Sequence, residues 1–282
     1  MALLRQFTTN FSSGELSPLL SSRVDAEAYR NGAYRLRNVR LKAQGGCTRR
    51  PGLRYLQTLA NESYQTEAYV YDEDEAYLLL FSNGKLRIVD ISNPTAILQT
   101  LTSMPWATAQ IGSLVVSQSG DTMFVTHPDM AMQKITRTSS SNFAVTAFAF
   151  DTSAGLGFQP YYKFATASTT ITPSATSGSV TLTASADAFT SAYNGMYLRL
   201  VDSASVVRHA LITGYTSATV VTATLSGAIA NTNAITDWQE PVFSSVRGYA
   251  RTVTFHDQRL IFGGSRDLPN FLFMSKIGEF TN

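Results

Sequence analysis

The sequence predicts a mainly β protein: propeller-like β blades, a small N-terminal α/β platform and an inserted β-sandwich domain. Three observations carry that expectation. Short apolar runs bounded by turn residues recur from Glu67 onward. A stretch rich in Ser, Thr and Ala but poor in charge interrupts them between Ala165 and Asp237. The first 54 residues follow a separate pattern, dense in Gly, Pro and Arg. At 282 residues the chain is long enough for more than one unit. The expected division is 1–60 as a docking platform, 61–164 as propeller-like β, 165–237 as the inserted sandwich, and 238–282 as a return to the propeller-like region.

In the platform, Phe11-Ser-Ser-Gly-Glu-Leu-Ser-Pro18 is a turn-rich opening. Asp25 is placed to N-cap a helix whose stripe would be Tyr29, Ala33 and Leu36, with Glu27 and Arg30 able to pair on its exposed side. Gly32 inside that helix implies close packing against another backbone. Val39 and Leu41 alternate with Arg40 and Lys42 at the strand period, and Gln44-Gly-Gly46 ends the strand.

Ala68–Tyr71 and Ala76–Phe81 read as strands joined across Asp72-Glu-Asp-Glu75. Asn83-Gly84 then signals a type I′ hairpin, with Lys85–Ile91 returning. Ser113–Val125, turning at Ser119-Gly-Asp121, is expected to repeat that unit ~45 residues on, the spacing of four-stranded propeller blades. Arg251–Gly263, turning at His256-Asp257-Gln258, is expected to be a third. Three units do not close a ring of roughly four to eight blades. The ring is therefore expected either to stay open or to be completed by residues beyond Asn282.

Ten Lys or Arg before residue 55 (Arg5, Arg23, Arg30, Arg35, Arg37, Arg40, Lys42, Arg49, Arg50, Arg54) face only Glu15, Asp25 and Glu27, a local charge of +7 in a chain of +2 overall. The remainder carries twelve basic and seventeen acidic side chains, a balance of −5. Such polarity suits nucleic acid, an acidic protein surface or a solvated intersubunit face. The longest apolar runs fall far short of the ~20 residues that span a bilayer. The opening Met1-Ala-Leu-Leu-Arg-Gln lacks the apolar core of a secretory signal. Cys47 is the only cysteine, which excludes an intrachain disulfide and a cysteine-only zinc site and fits synthesis in a reducing cytosol.

No catalytic constellation stands out. His127, His209 and His256 fall in different segments. His127-Pro128-Asp129 reads as a turn, with Asp129 bonding locally. His256-Asp257 could be an acid–base pair, but the residues suit a hairpin loop between Val253-Thr-Phe255 and Leu260-Ile-Phe262, which is the expected reading. Asp72–Glu75 lacks the glycine and spacing of an EF-hand loop and reads as a charged hairpin tip. No phosphate-cradling or dinucleotide motif is present. Cys47 beside Gly46 and near Arg49 could be an activated thiol, but with no matched base nearby the expectation is a buried small apolar residue. The expectation is a non-enzyme with no catalytic or metal residues and no cofactor.

Two blocks of residues carry a family resemblance. The first is Phe11–Pro18, Arg23-Val-Asp25, Tyr29, Gly32, Asn38, Gln44-Gly-Gly46 and Thr48-Arg-Arg-Pro-Gly52. The second is Trp238, Val246-Arg-Gly-Tyr249, Val253-Thr-Phe255, Arg259-Leu-Ile-Phe-Gly-Gly264, Pro269 and Ser275-Lys-Ile-Gly-Glu-Phe280. In order and spacing they resemble the tail nozzle proteins (tail tubular protein B) of short-tailed bacteriophages. Ala250 stands where relatives often have proline, and Lys42-Ala43 replaces a commoner Leu-Pro. Family members usually continue past the Gly-Glu-Phe equivalent, so a fragment, half of a split gene or a shortened relative is expected.

The resemblance implies a structural virion protein in the tail, made in the host cytoplasm. It would form a homo-oligomeric ring, a hexamer in that family, docked on the tail adaptor, with tail fibres nearby and genomic DNA passing through transiently. No small-molecule substrate is implied. Arg23, Asp25, Tyr29, Arg49 and Arg50 are the residues expected at the subunit or adaptor interface, because arginine forks suit buried carboxylates. The rival placement is on the channel wall, where each neutralised phosphate would slow passing DNA. The rival class is a tailspike or depolymerase acting on host polysaccharide, which should show solenoid repeats or a carboxylate-lined groove; neither pattern is visible.

Overall fold

The structure, a computed structural model, describes residues 8–153 and 157–282. Arg5 and the rest of the leading Met1-Ala-Leu-Leu-Arg-Gln lie outside the described residues. The protein is mainly β: the described residues contain 22 strands in six sheets and a single four-residue α-helix. The chain divides into two compact units, Met1–Leu56 and Gln57–Asn282, so the first boundary falls slightly before the expected residue 60.

The first unit contains β1 (Gly14–Glu15), α1 (Glu27–Arg30), β2 (Gly32–Ala33), β3 (Val39–Leu41) and β4 (Cys47–Arg49). β1 pairs parallel with β2, and β3 pairs antiparallel with β4 across the glycine turn, where Gly45 takes φ +90°. The expected helical stripe Tyr29–Ala33–Leu36 does not form, because the helix ends at Arg30. Asp25 does not cap it. Its carboxylate instead takes Nε and Nη2 of Arg23 at 2.9 and 2.8 Å, and the N-cap is Ala26, with no side-chain bond. Gly32 is drawn into pairing with Gly14, and a Cβ there would lie 2.5 Å from Leu16 and 2.8 Å from the Ala28 carbonyl. The close approach inferred from Gly32 is therefore present, but at a strand and not inside a helix. Among the described residues Glu27 and Arg30 form no ion pair.

The second unit opens with two four-stranded antiparallel meanders. The first is β5 (Gln65–Val70), β6 (Ala76–Ser82), β7 (Lys85–Asp90) and β8 (Gln99–Thr102). The second is β9 (Val115–Ser119), β10 (Thr122–His127), β11 (Met130–Ser139) and β12 (Asn142–Ala147). The two hairpins matched in the sequence are not equivalent. Asn83-Gly84 joins the second and third strands of its meander, whereas Ser119-Gly-Asp121 joins the first and second of the next. The true counterpart of Asn83-Gly84 is His127-Pro128-Asp129, and that of Ser119–Asp121 is the Asp72–Glu75 tip. Nor is Asn83-Gly84 a type I′ turn: only Gly84 has positive φ. Outside contacts hold it, since Asn83 Oδ1 accepts the Thr108 N–H and the buried Trp106 indole donates to the Ser82 and Lys85 carbonyls.

The meanders pack face to face. Alternation along β10 sends Met123 and Val125, with Ile135 of β11, into a core shared with Tyr77, Leu79, Phe81 and Ile88 of the first meander. Three glutamines bind the neighbouring backbone, two of them at two points and Gln65 at three. Gln118 accepts the Val70 N–H (3.1 Å) and donates to the Val70 carbonyl (2.7 Å). Gln99 treats Phe143 the same way (2.7 and 3.1 Å). Gln65 takes the N–H groups of Gly112 and Leu114 and donates to the Leu114 carbonyl. Arg137 adds an ion pair to Glu75 and lies 3.8 Å over the Tyr71 ring.

Next come β13 (Tyr161–Tyr162), β14 (Ile171–Pro173), β15 (Ser179–Ala184), β16 (Tyr197–Val201), β17 (Val207–Ser217), β18 (Val220–Leu225) and β19 (Trp238–Pro241). They form one seven-stranded sheet in the order β13-β19-β16-β17-β18-β15-β14. Ile171 at its far edge bridges Ile235, just ahead of β19, so the sheet curls back on itself. Register shifts in β17 at Ile212/Gly214 and Tyr215/Ser217 supply local bending. The two walls expected of a sandwich are thus parts of a single sheet, and that sheet reaches past 165–237 to include Tyr161 and Trp238. Its interior holds Leu182, Leu198, Leu200, Ile212, Val221 and Trp238, all fully buried.

The last sheet is β20 (Thr252–His256), β21 (Arg259–Gly263) and β22 (Leu272–Met274). Asp257 and Gln258 take φ +46° and +59°, which is the type I′ pattern, here without glycine. This sheet covers the other face of the second meander. Phe124 and Met132 pack with Val253, Leu260 and Phe262 in an aromatic-rich core, Phe124 lying edge-on to Phe255 at 5.6 Å. The link from β19 is seated by Arg247-Gly248-Tyr249. Gly248 has φ +83°, and the Tyr249 N–H donates to the Pro128 carbonyl at 2.8 Å.

Two stability outcomes follow. Gln65→Leu leaves two N–H groups and a carbonyl without their partner and should cost ~1–3 kcal/mol in urea denaturation. Gln57→Leu, which loses one long bond to Pro94, should stay within ~0.5 kcal/mol. Gly248→Ala would strain a positive-φ position and place a Cβ 2.7 Å from Arg266 Cβ and 3.1 Å from the Pro128 carbonyl. It should cost ~2–3 kcal/mol on the same assay.

Candidate functional site

The first unit is short of hydrophobic burial. Among its described residues only Gly45 is buried, while Leu19, Tyr34 and Leu53 are 92%, 81% and 96% exposed. Val24 and Leu41 are also exposed. Short strands, a one-turn helix and turns cannot bury these side chains within some fifty residues, and burial of each is worth ~1.5–3 kcal/mol. These apolar side chains are therefore left in water.

Charge points the same way. Nine Lys or Arg lie between Thr8 and Leu56, and only Arg23 makes an ion pair among the described residues, with Asp25 at 2.8 Å. That pair is about two-thirds exposed, so it contributes little to stability. The Arg23 bond holds the Asp25 carboxyl below its usual value. Glu15 is engaged by the Leu36 N–H at 2.8 Å.

The structure groups some of the expected interface residues and separates others. Tyr29 lines a groove of about 880 Å³ with Val24, Arg30, Tyr34 and Leu16. Arg23 and Asp25 pair beside each other but are not in its lining. Arg49 and Arg50 lie at the end of β4, exposed, with the Arg50 N–H bonded to the carbonyl of Asn38, a residue at φ +56°. Cys47 is exposed, which removes the reading as a buried apolar residue.

A second polar centre in the second unit escaped the sequence reading. Glu240 of β19 is 1% exposed. Its carboxylate accepts Tyr193 Oη at 2.6 Å and both Nε (2.9 Å) and Nη2 of Arg247, which also lies 4.4 Å over the Phe164 ring. Burial pushes the Glu240 carboxyl up, against the pull of Tyr193 and Arg247, and also raises the Tyr193 phenol. The network ties the curled sheet to the loop that enters β20. Its one trace in the sequence is a carboxylate inside the apolar run Trp238-Gln-Glu-Pro-Val-Phe.

The other candidates are placed as follows. His256 and Asp257 are 3.2 Å apart on an open hairpin, 74% and 81% exposed. In the His127 turn the local bond runs from the Asp129 N–H to His127 Nδ1, so the histidine and not the aspartate is the side-chain partner. Asp72 Oδ1 accepts the N–H groups of Asp74 and Glu75, closing the acidic tip. No group of three or more His, Cys, Asp or Glu able to hold a metal occurs among the described residues.

Glu240→Gln would leave the Arg247 charge with only its longer contact to Asp267 at 3.5 Å and should cost ~3 kcal/mol, the lower end for a broken buried pair because Arg247 is partly exposed and keeps that second carboxylate. Burial holds His127 and His209 below their ordinary value. For such bases the unfolded chain binds protons first. Stability is intact above ~pH 6.5 and is lost as pH falls below it towards the folded values. Calorimetric melting should therefore decline across that window, with a shallower slope in His209→Phe. No protein-family model matches this chain, and no curated protein matches it significantly.

Proposed function

We propose that this protein is a structural subunit of a phage short tail, a nozzle protein whose first unit docks between neighbouring subunits and on a tail adaptor. The observation that carries this reading is the unsatisfied surface of that unit: exposed Leu19, Tyr34 and Leu53, with eight cations that form no ion pair among the described residues. A monomer gains little from such a surface. An assembly gains burial of the apolar groups and carboxylate partners for the arginines.

In this reading the three meanders are blades of a propeller-like arrangement, and the curled sheet between β13 and β19 is an insert on the outside of the ring. Face-to-face stacking of consecutive meanders supports the blade assignment. Arg49 and Arg50 sit at protein contacts and not along the channel, since a wall that binds phosphates tightly would hinder sliding. The ring is homo-oligomeric, carried in the virion, and neither cleaves nor transfers a substrate.

Replacing both Arg49 and Arg50 with alanine tests the placement. Exposed ion pairs contribute only ~0–1 kcal/mol, so melting of the monomer should be unchanged. Ring formation or adaptor docking should weaken by ~2–5 kcal/mol per lost buried pair. Mass photometry with adaptor present reads both. Normal assembly with poor DNA passage would move the arginines to the channel. A wild-type chain that stays monomeric with and without adaptor would sink the proposal.

A further inference from the structure

A cavity of about 570 Å³ lies in the second unit between the curled sheet and the third meander, within the size range of small-molecule sites. Five phenylalanines form much of its wall: Phe150, Phe158, Phe262, Phe273 and Phe280. Three cations reach it, Arg199 from β16, Arg259 from β21, and Lys276, and no Asp or Glu side chain belongs to the described lining. Arg199 is hydrogen-bonded to neutral Gln239 and Arg259 to the Ser275 carbonyl. Lys276 makes a loose contact with Glu279 at 3.9 Å and lies over the Phe158 ring, 5.7 Å from its centre.

His209, opposite Arg199 in the β16–β17 ladder, also borders the cavity. It is 9% exposed, its ring lies 5.4 Å from that of Tyr161, and its Nδ1 has no hydrogen-bond partner. Buried polar atoms are nearly always satisfied, so this orphaned ring nitrogen, which carries almost no accessible surface, is a hydrogen-bonding position that a ligand in the cavity fills once the ring turns towards it. The cavity therefore combines an aromatic body, excess positive charge and one unused polar group.

We propose that this cavity binds a small aromatic carboxylate. The ring system stacks among the phenylalanines, and the carboxylate is held by the cationic rim and His209. Aromatic walls recognise flat apolar bodies, and charge-assisted bonds to carboxylate are stronger than those to a neutral hydroxyl. Binding is independent of the assembly reading and involves no turnover.

Isothermal titration of the full chain with 2-naphthoate, against the neutral alcohol naphthalene-2-methanol, tests this. Saturable one-to-one binding of naphthoate is expected, with the alcohol at least about tenfold weaker. His209→Phe keeps a ring against Tyr161 but removes the nitrogen. It should weaken naphthoate about tenfold without lowering the melting temperature of the free protein. Lys276→Gln, an exposed change that leaves the core intact, should weaken it several-fold and carries the test if the histidine variant fails to fold. Non-saturable uptake, equal affinity for acid and alcohol, or unchanged binding in the variant tested would overturn the proposal.

Discussion

The architecture of the second unit depends on a sheet buried on both faces. Side chains along a strand point alternately to opposite sides, so β10 cannot serve one core without serving another. Met123 and Val125 enter the core of the first meander, and Phe124 enters that of the third. Every residue from Met123 to His127 is buried. A strand with two dry faces reads as a continuous apolar run, and the two neighbouring sheets are obliged to stack on either side of it. Hydrophobic stacking alone is non-directional. The glutamine clamps at Gln65, Gln99 and Gln118 add direction, because a side-chain amide that satisfies one residue's N–H and carbonyl together cannot do so one register away.

The third sheet and the curled sheet inherit their positions from that stack. Gly248 lets the connecting loop approach the Pro128 carbonyl, and Glu240 anchors Arg247 one residue earlier. The curled sheet has its own complete core around Trp238 and Leu200, so the polar hub works as a joint between two finished pieces. The first unit is the reverse case. Its described residues have turn geometry and two small ladders but almost no buried side chains, and among them only Arg23 forms an ion pair. Local hydrogen bonds give it shape, while its surface remains suited to a partner.

Much of this was legible residue by residue. Strands at Ala76–Ser82, Lys85–Asp90 and Arg259–Gly263 follow directly from β-branched and aromatic runs between turns. The end of β3 follows from Gln44-Gly-Gly46, although the return strand β4 does not, and the close contact at Gly32 follows from a glycine where a helix would disfavour one. Misreadings arose where another partner outcompeted the expected local preference. Asp25 forgoes the N-cap because Arg23 is nearer in space, and Asn83 is held by Thr108, twenty-five residues on. Glu240 was invisible because a carboxylate in an apolar strand declares nothing until Tyr193 and Arg247 stand beside it.

The sequence by itself determined that the chain is mainly β, where most strands and turns lie, and that its basic end differs from the rest, because periodicity, turn chemistry and charge are local properties. Only the tertiary structure decided which hairpins are equivalent, that residues 161–241 form one curled sheet, and that His209 borders a cationic aromatic cavity. Those outcomes depend on which strand edges meet and which faces are covered, through contacts between residues tens of positions apart.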